Sequence, residues 1–346
     1  MLPEVILTAV PRYFAGPYCR DFYNPSEPGV APGPHLFDLG HLAFSLISEI
    51  DDPMNLWEKY LRPSTVEEAL AGMASAPGLA CPIAGGTDLL LDLKQGRHAH
   101  VHTLVDMTTI PELTTLEIRA DELFIGAAVP LSHIVASELV QEHAQALIEA
   151  SQLVGGPQVR NTATLGGNVA HALPAADGTI ALMVLQVQAE IADMQGRRRV
   201  PVADLFLGPG KSLLNVEREL LVGFHMPLRK THQASVFRRI MRAQGTALPI
   251  LNLSVWMERK SDLIQDVRIA VGPGGPTPWM ASSAEAALRG GPFSPEALEL
   301  ARQALLKQVG FRTSAFRASA EYRNHLVVGL LNDCLETAWQ RADKDN

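Results

Sequence analysis

Two stretches decide how this chain is read: Ile83-Ala84-Gly85-Gly86-Thr87-Asp88, and Gln158-Val159-Arg160-Asn161-Thr162-Ala163-Thr164-Leu165-Gly166-Gly167-Asn168. Each places a glycine pair between a strand-like segment and a candidate helix. Without a Cβ, the backbone can take positive φ and approach a bulky anion closely. Thr87 and Thr164 bring hydroxyls to the same turns. One glycine pair is ordinarily a tight bend, but two such turns facing each other suit a clamp on a pyrophosphate. The usual nucleotide patterns fit badly: there is no Gly-x-Gly-x-x-Gly, and Gly208-Pro209-Gly210-Lys211-Ser212 lacks the earlier glycine of a phosphate-binding P-loop.

Around these motifs the pattern is regular. Ser64-Thr65-Val66-Glu67 reads as a capping box opening a helix through Val66, Ala69, Leu70 and Met73. Strands are expected at Leu79 to Ile83 and Val101 to Val105, with a hairpin of Leu116 to Ile118 and Leu123 to Ile125 across Ala120-Asp121. One helix is expected from Ser137 to Leu153 and another through Ile180 to Leu185, followed by strands at Ala189 to Ala192, Val200 and Leu220 to Phe224. Near Pro227 the character changes. Phe237 to Met241, Leu251 to Met257 and Ile264 to Val271 predict a three-stranded antiparallel sheet, with helices at Ala281 to Leu288, Pro295 to Gln308 and Ala318 to Arg341 beside it. Prolines and glycines interrupt residues 1–53, where only His35 to Ile50 suits a short helix.

The 346 residues are 47% hydrophobic, enough for a sizeable core, and their length suggests two domains. Lys and Arg number 29 against 37 Asp and Glu, net −8, with no concentrated basic surface; this argues against nucleic acid as a partner. Arg197-Arg198-Arg199 reads as the solvated side of a hairpin. Three scattered cysteines, Cys19, Cys81 and Cys334, make neither a disulfide framework nor an iron-sulfur ligand set. No apolar run has the length of a membrane span and no signal peptide is apparent, so the expected location is the cytoplasm. His98, His100 and His102 would share one face of a strand, but with no carboxylate or cysteine near in sequence a metal site is disfavoured.

The two glycine motifs, together with Pro174-Ala175-Ala176-Asp177, Gly208-Pro209-Gly210 before Leu213-Leu214, Arg242 and Ser319-Ala320-Glu321-Tyr322-Arg323, resemble the FAD-binding medium subunit of the molybdenum hydroxylases, the xanthine dehydrogenase and carbon monoxide dehydrogenase family. The likeness covers about residues 54–341. It implies an α+β chain: an irregular extension over 1–53, a two-part FAD domain of the vanillyl-alcohol-oxidase (PCMH) type over 54–227, and a C-terminal domain over 228–346. It further implies that Ala84, Gly85, Gly86, Thr87 and Asp88, with Thr164, Leu165, Gly166, Gly167 and Asn168, surround the FAD diphosphate. Asp177 would hold a polar part of the cofactor, and Leu214 would line the site. Arg239 lies where relatives often carry lysine. No catalytic residue and no metal ligand is expected.

The implied partners are a large molybdopterin-binding subunit and a small 2Fe-2S subunit, with NAD, quinone or oxygen as terminal acceptor. Leu173 stands where many relatives have serine, and Val154 near a position that is aromatic in the animal enzymes. Those departures leave room for an FAD-poor scaffold subunit of the same complex. A stand-alone flavin reductase of the same superfold is a third reading, against which the C-terminal motifs speak. His171 serves equally as a cofactor contact or a structural residue, and Glu321 with Arg323 reads as a surface or domain-contact pair.

Overall fold

Strand formation starts where alternating or continuous apolar runs meet turn residues, and the computed structural model, which describes residues 56–242, 248–314 and 317–343, follows that rule. A parallel sheet of order β1-β3-β2 contains β1 (Trp57–Leu61), β2 (Ala80–Ile83) and β3 (Val101–Asp106). A second sheet, of order β4-β5-β10-β6-β7, is built from β4 (Leu116–Arg119), β5 (Glu122–Gly126), β6 (Gln188–Asp193), β7 (Gly196–Pro201) and β10 (Leu220–Pro227). The short pair β8 (Phe206–Gly208) and β9 (Lys211–Ser212) stands apart from it. The expected hairpin turns at Ala120, whose φ of 55° places it in the left-handed region. Expected helix His35 to Ile50 and the 1–53 extension lie outside the described residues.

The capping box is shifted by one residue from the reading of the sequence. Thr65, not Ser64, caps the helix Val66–Ala74, its side chain accepting from Glu68 N (3.1 Å). Glu68, not Glu67, reaches back to Ser64 N (2.8 Å). The buried face is the expected one, Val66, Ala69, Leu70 and Met73. The helix expected from Ser137 to Leu153 is two, Glu138–His143 and Gln145–Gln152. Ala144 breaks it with φ −144° and ψ 55°, and lies fully buried in the main core.

The C-terminal sheet has four strands rather than three: β11 (Gln233–Met241), β12 (Pro249–Lys260), β13 (Leu263–Gly272) and β14 (Trp279–Met280), all antiparallel. Two-residue β14 has no periodicity to read, and only its pairing of Met280 with Ala270 and Trp279 with Val271 makes it a strand. Helices Ser282–Leu288, Pro295–Gln308 and Ala320–Asp343 accompany the sheet, the second capped by Ser294 with proline at its start. One core joins Val327, Leu331 and Leu335 of the last helix to Leu253, Val255 and Ile269 of the sheet. The largest core crosses between sheets, burying Phe237, Trp256 and Ala270 with Leu147, Ile180, Leu182 and Phe224. No helix among the described residues is long and apolar enough to cross a membrane.

Arg197, Arg198 and Arg199 are less free than a solvated hairpin edge suggests. Arg197 meets Glu67, Glu112 and Glu190, Arg198 meets Glu219, and Arg199 meets Glu122. Glu190 belongs to the same β6–β7 hairpin, but Glu67, Glu112, Glu122 and Glu219 come from other segments, so nothing local announces them. Nor do the histidines form an alternating face, because β3 begins only at Val101. His102 instead lies 3.2 Å from Glu58, and among the described residues no group of three or more His, Cys, Asp or Glu side chains is arranged to hold a metal.

Candidate functional site

The first glycine motif leaves the C-terminal end of β2 and enters the helix Leu89–Lys94. Gly86 has φ +64°, the left-handed conformation that glycine adopts without penalty. Leu90 N donates to the Gly86 carbonyl (3.0 Å) and Asp92 N to the Asp88 carbonyl (2.9 Å), which pins the turn. The N–H groups of Gly85, Gly86, Thr87 and Asp88 have no hydrogen-bond partner among the described residues. Thr87 and Asp88 are exposed, while Ala84, Gly85 and Gly86 are half-buried. Four successive free amides around a positive-φ glycine make a nest for an anion.

The second motif uses its glycines differently. Leu165, Gly166, Gly167 and Asn168 lie within the helix Leu165–Ala170, and only Gly86 of the four motif glycines has positive φ. Thr164, 3% exposed, is the N-cap, and its Oγ1 accepts from Gly167 N (3.1 Å). Gly166 N donates to the Ala127 carbonyl (2.9 Å), and a Cβ on Gly166 would stand 2.5 Å from that oxygen. Packing, not dihedral freedom, requires glycine there. Gly167 is exposed, and a Cβ there would meet only Thr164 Oγ1, at 3.2 Å.

Tertiary structure brings the two motifs into contact. A Cβ on Gly85 would lie 2.0 Å from the Thr162 carbonyl and 2.9 Å from Ala163 N, so the free amides of the first motif stand beside the segment leading into the second. Sequence reading placed two turns face to face; the structure makes Gly85 the contact between them.

Asp177 and Arg239, far apart in sequence, form an ion pair with side chains 4% and 5% exposed. Asp177 starts the helix Asp177–Val184, and Arg239 comes from β11. Asn252 on β12, missed in the sequence, completes the group: its Nδ2 donates to Asp177 Oδ1 (2.7 Å) and to the Ala175 carbonyl (3.2 Å). Burial pushes the Asp177 carboxyl up from its ordinary range, while the Arg239 charge and the two hydrogen bonds pull it back. Both carboxylate oxygens are already accepting from protein donors. An asparagine in a strand carries no sequence signal; only its zero exposure and its partner reveal it. Leu214 is 8% exposed and packs in the main core beside the β8–β9 pair.

These residues fit a phosphate-bearing cofactor. Beyond the free amides, buried polar atoms without partners occur at Asn168 Oδ1, Thr179 Oγ1, Arg239 Nε and Asn252 Oδ1. Gly178 touches one of them, since a Cβ there would stand 2.8 Å from Asn168 Oδ1. A separate cleft of about 730 Å³ includes none of the motif residues. His225 on its wall is 2% exposed, and its Nε2 lies 2.6 Å from Glu190 Oε2.

A mixed helix and sheet scaffold that presents a row of unpartnered amides beside a capped glycine helix suits a cofactor that carries phosphate. Comparison sharpens this class. Residues 53–229 match the family described as the FAD binding domain in molybdopterin dehydrogenase, and residues 235–338 match the CO dehydrogenase flavoprotein C-terminal domain. The xanthine dehydrogenase FAD-binding subunit of Escherichia coli O157:H7 is 31% identical over 281 residues, 81% of this chain and 95% of that one. The nicotine 6-hydroxylase medium subunit of Paenarthrobacter nicotinovorans is 31% identical over 283 residues, 82% of this chain and 98% of that one. A solved structure of carbon monoxide dehydrogenase from Hydrogenophaga pseudoflava, 28% identical, superposes with a TM-score of 0.77 over 82% of this chain and 98% of that chain. The chain belongs to the FAD-binding medium subunits of the molybdenum hydroxylase family of oxidoreductases, whose characteristic domain binds FAD.

Proposed function

We propose that this chain is the electron-relay subunit of a cytoplasmic molybdenum hydroxylase and that its glycine motifs hold the diphosphate of FAD. The observation that carries this reading is the row of unpartnered N–H groups from Gly85 to Asp88, held against Thr162, in a chain of this family. On this reading residues 54–227 form a two-part domain of the vanillyl-alcohol-oxidase type, and residues 228–346 a domain of their own. Ala84, Gly85, Gly86, Thr87 and Asp88 take the diphosphate from one side. Thr164, Leu165, Gly166, Gly167 and Asn168 form the opposite wall, where a side chain on exposed Gly167 would intrude.

Bound FAD supplies a centre that accepts electrons singly and releases them in pairs. The chain supplies position and field. Asp177, fixed by Arg239 and Asn252 at the start of the helix Asp177–Val184, would hold a polar part of the cofactor. Leu214 helps keep water out. A small 2Fe-2S subunit is the donor to this chain, a large molybdopterin subunit carries the hydroxylation, and NAD, quinone or oxygen is the acceptor.

The test is to purify the chain alone and together with the two partner subunits, then add substrate anaerobically while following flavin absorbance. The assembled complex should show flavin bleaching, and the isolated chain should bind flavin yet hydroxylate nothing. Hydroxylation by the isolated chain, or a flavin that stays oxidised in the complex, refutes the relay. A complex without flavin absorbance would favour a scaffold role.

A further inference from the structure

Four arginines that have no acidic partner among the described residues gather where β11 ends and the helix Ala320–Asp343 begins. Arg242 follows β11, and its Nη2 donates to the Arg317 carbonyl (3.3 Å). Arg323, in the first turn of the helix, donates through Nη1 to the Arg312 carbonyl (3.0 Å). Among the described residues, no carboxylate lies within ion-pair distance of Arg242, Arg312, Arg317 or Arg323. Arg239, buried to a similar degree, by contrast meets Asp177. Of the two residues read as a surface or domain-contact pair, Glu321 is exposed and makes no ion pair among the described residues, whereas Arg323 is buried.

Arg323 is only 5% exposed, and its Nε has no partner. Burial, then the nearby charges of Arg317 and Arg312, lower its affinity for its own proton. A guanidinium does not give up that proton in a protein, so the folded chain carries a buried cation whose one hydrogen-bond partner among the described residues is a backbone carbonyl. Anchoring the loop before the helix uses a single donor and needs no charge. The Glu321 N–H in the first helical turn is also without a partner among the described residues, and helix N-termini favour anions.

We propose that Arg312, Arg317, Arg323 and Arg242 form a binding site for a phosphate-type oxyanion, distinct from the glycine motifs. Guanidinium forks pair two N–H groups with two oxygens, so a phosphate offers each arginine an acceptor pair, which a single carboxylate does not. Free phosphate and the phosphate of a nucleotide ester share this chemistry.

The experiment uses the full flavin-loaded chain, titrated with inorganic phosphate and separately with adenosine 5′-monophosphate, in chloride of matched ionic strength. Phosphate should raise Tm by about 2–4 °C at roughly ten times its Kd. The double variant Arg312→Gln with Arg317→Gln, which breaks no ion pair, should keep its fold and flavin absorbance and lose the shift. Arg323→Lys keeps the charge without the fork and should weaken binding about tenfold. Tighter binding of the nucleotide through the same arginines identifies an ester as the ligand, and equal binding identifies phosphate itself. The site is overturned if phosphate gives no shift beyond chloride, or if the double variant retains the full shift. Phosphate that displaces flavin also overturns it, because the ion would then be occupying the cofactor's own diphosphate position.

Discussion

Replacing Arg239 with methionine removes the cation from a carboxylate that is 4% exposed and leaves Asn252 as its one remaining side-chain donor. Breaking a buried pair in this way costs about 3–5 kcal/mol, because the other charge stays behind uncompensated. The carboxyl can escape by taking a proton, so the loss should depend on pH. Burial already raises the Asp177 pKa, and removing Arg239 raises it further above the unfolded value of about 3.9. A group with a raised folded-state pKa contributes fully below its unfolded pKa and loses that contribution as pH rises through the folded one. The variant should therefore lie nearest the wild type below the unfolded pKa of about 3.9 and fall further behind as pH rises through the raised folded-state pKa. Urea unfolding across this range, following tryptophan fluorescence and flavin release together, measures the gap. Arg239→Lys, which restores a charge where relatives often have lysine, should recover most of it. A methionine variant that loses under about 1 kcal/mol at pH 8, or an equal amount at every pH, would refute the uncompensated-charge argument.

The motif glycines should separate by mechanism. Gly85→Val drives a Cβ onto the Thr162 carbonyl and should lower both Tm and flavin content, whereas Gly167→Val, at an exposed position, should lower flavin content with little change in Tm. A Gly167→Val protein with full flavin occupancy would place the diphosphate elsewhere. Burial is the largest single influence on Glu190 and raises it, but the hydrogen bonds and charges of His225 and Arg197 together outweigh it, so its carboxyl lies below the usual range. Its contribution is present above the unfolded pKa of about 4.3 and lost as pH falls through the folded one; Glu190→Gln should flatten the fall of Tm below about pH 4.3, and an unchanged acid limb would count against that assignment. Residues 54–346 expressed alone should fold and bind flavin as the full chain does, checked by circular dichroism and the flavin to protein absorbance ratio; loss of either would show that residues 1–53 are needed.

Much of this protein is legible along the chain because the deciding physics is local. Ser294-Pro295-Glu296 marks a helix start through a cap and a fixed φ, and the structure begins the helix at Pro295. The alternation from Ile264 to Val271 reports one buried sheet face, and β13 covers it. The glycine motifs, read with their flanking residues, pointed to the family that the comparisons bear out. Tertiary structure decided what depends on a distant partner. β14 exists only because β13 offers it hydrogen bonds. Asn252 becomes part of the site because β12 carries it to Asp177, and Gly85 must be glycine because the Thr162 carbonyl arrives against it from another part of the chain. A sequence records which groups are available to pair. Which buried group loses water, and which partner then compensates it, is settled only when the strands and helices close on one another.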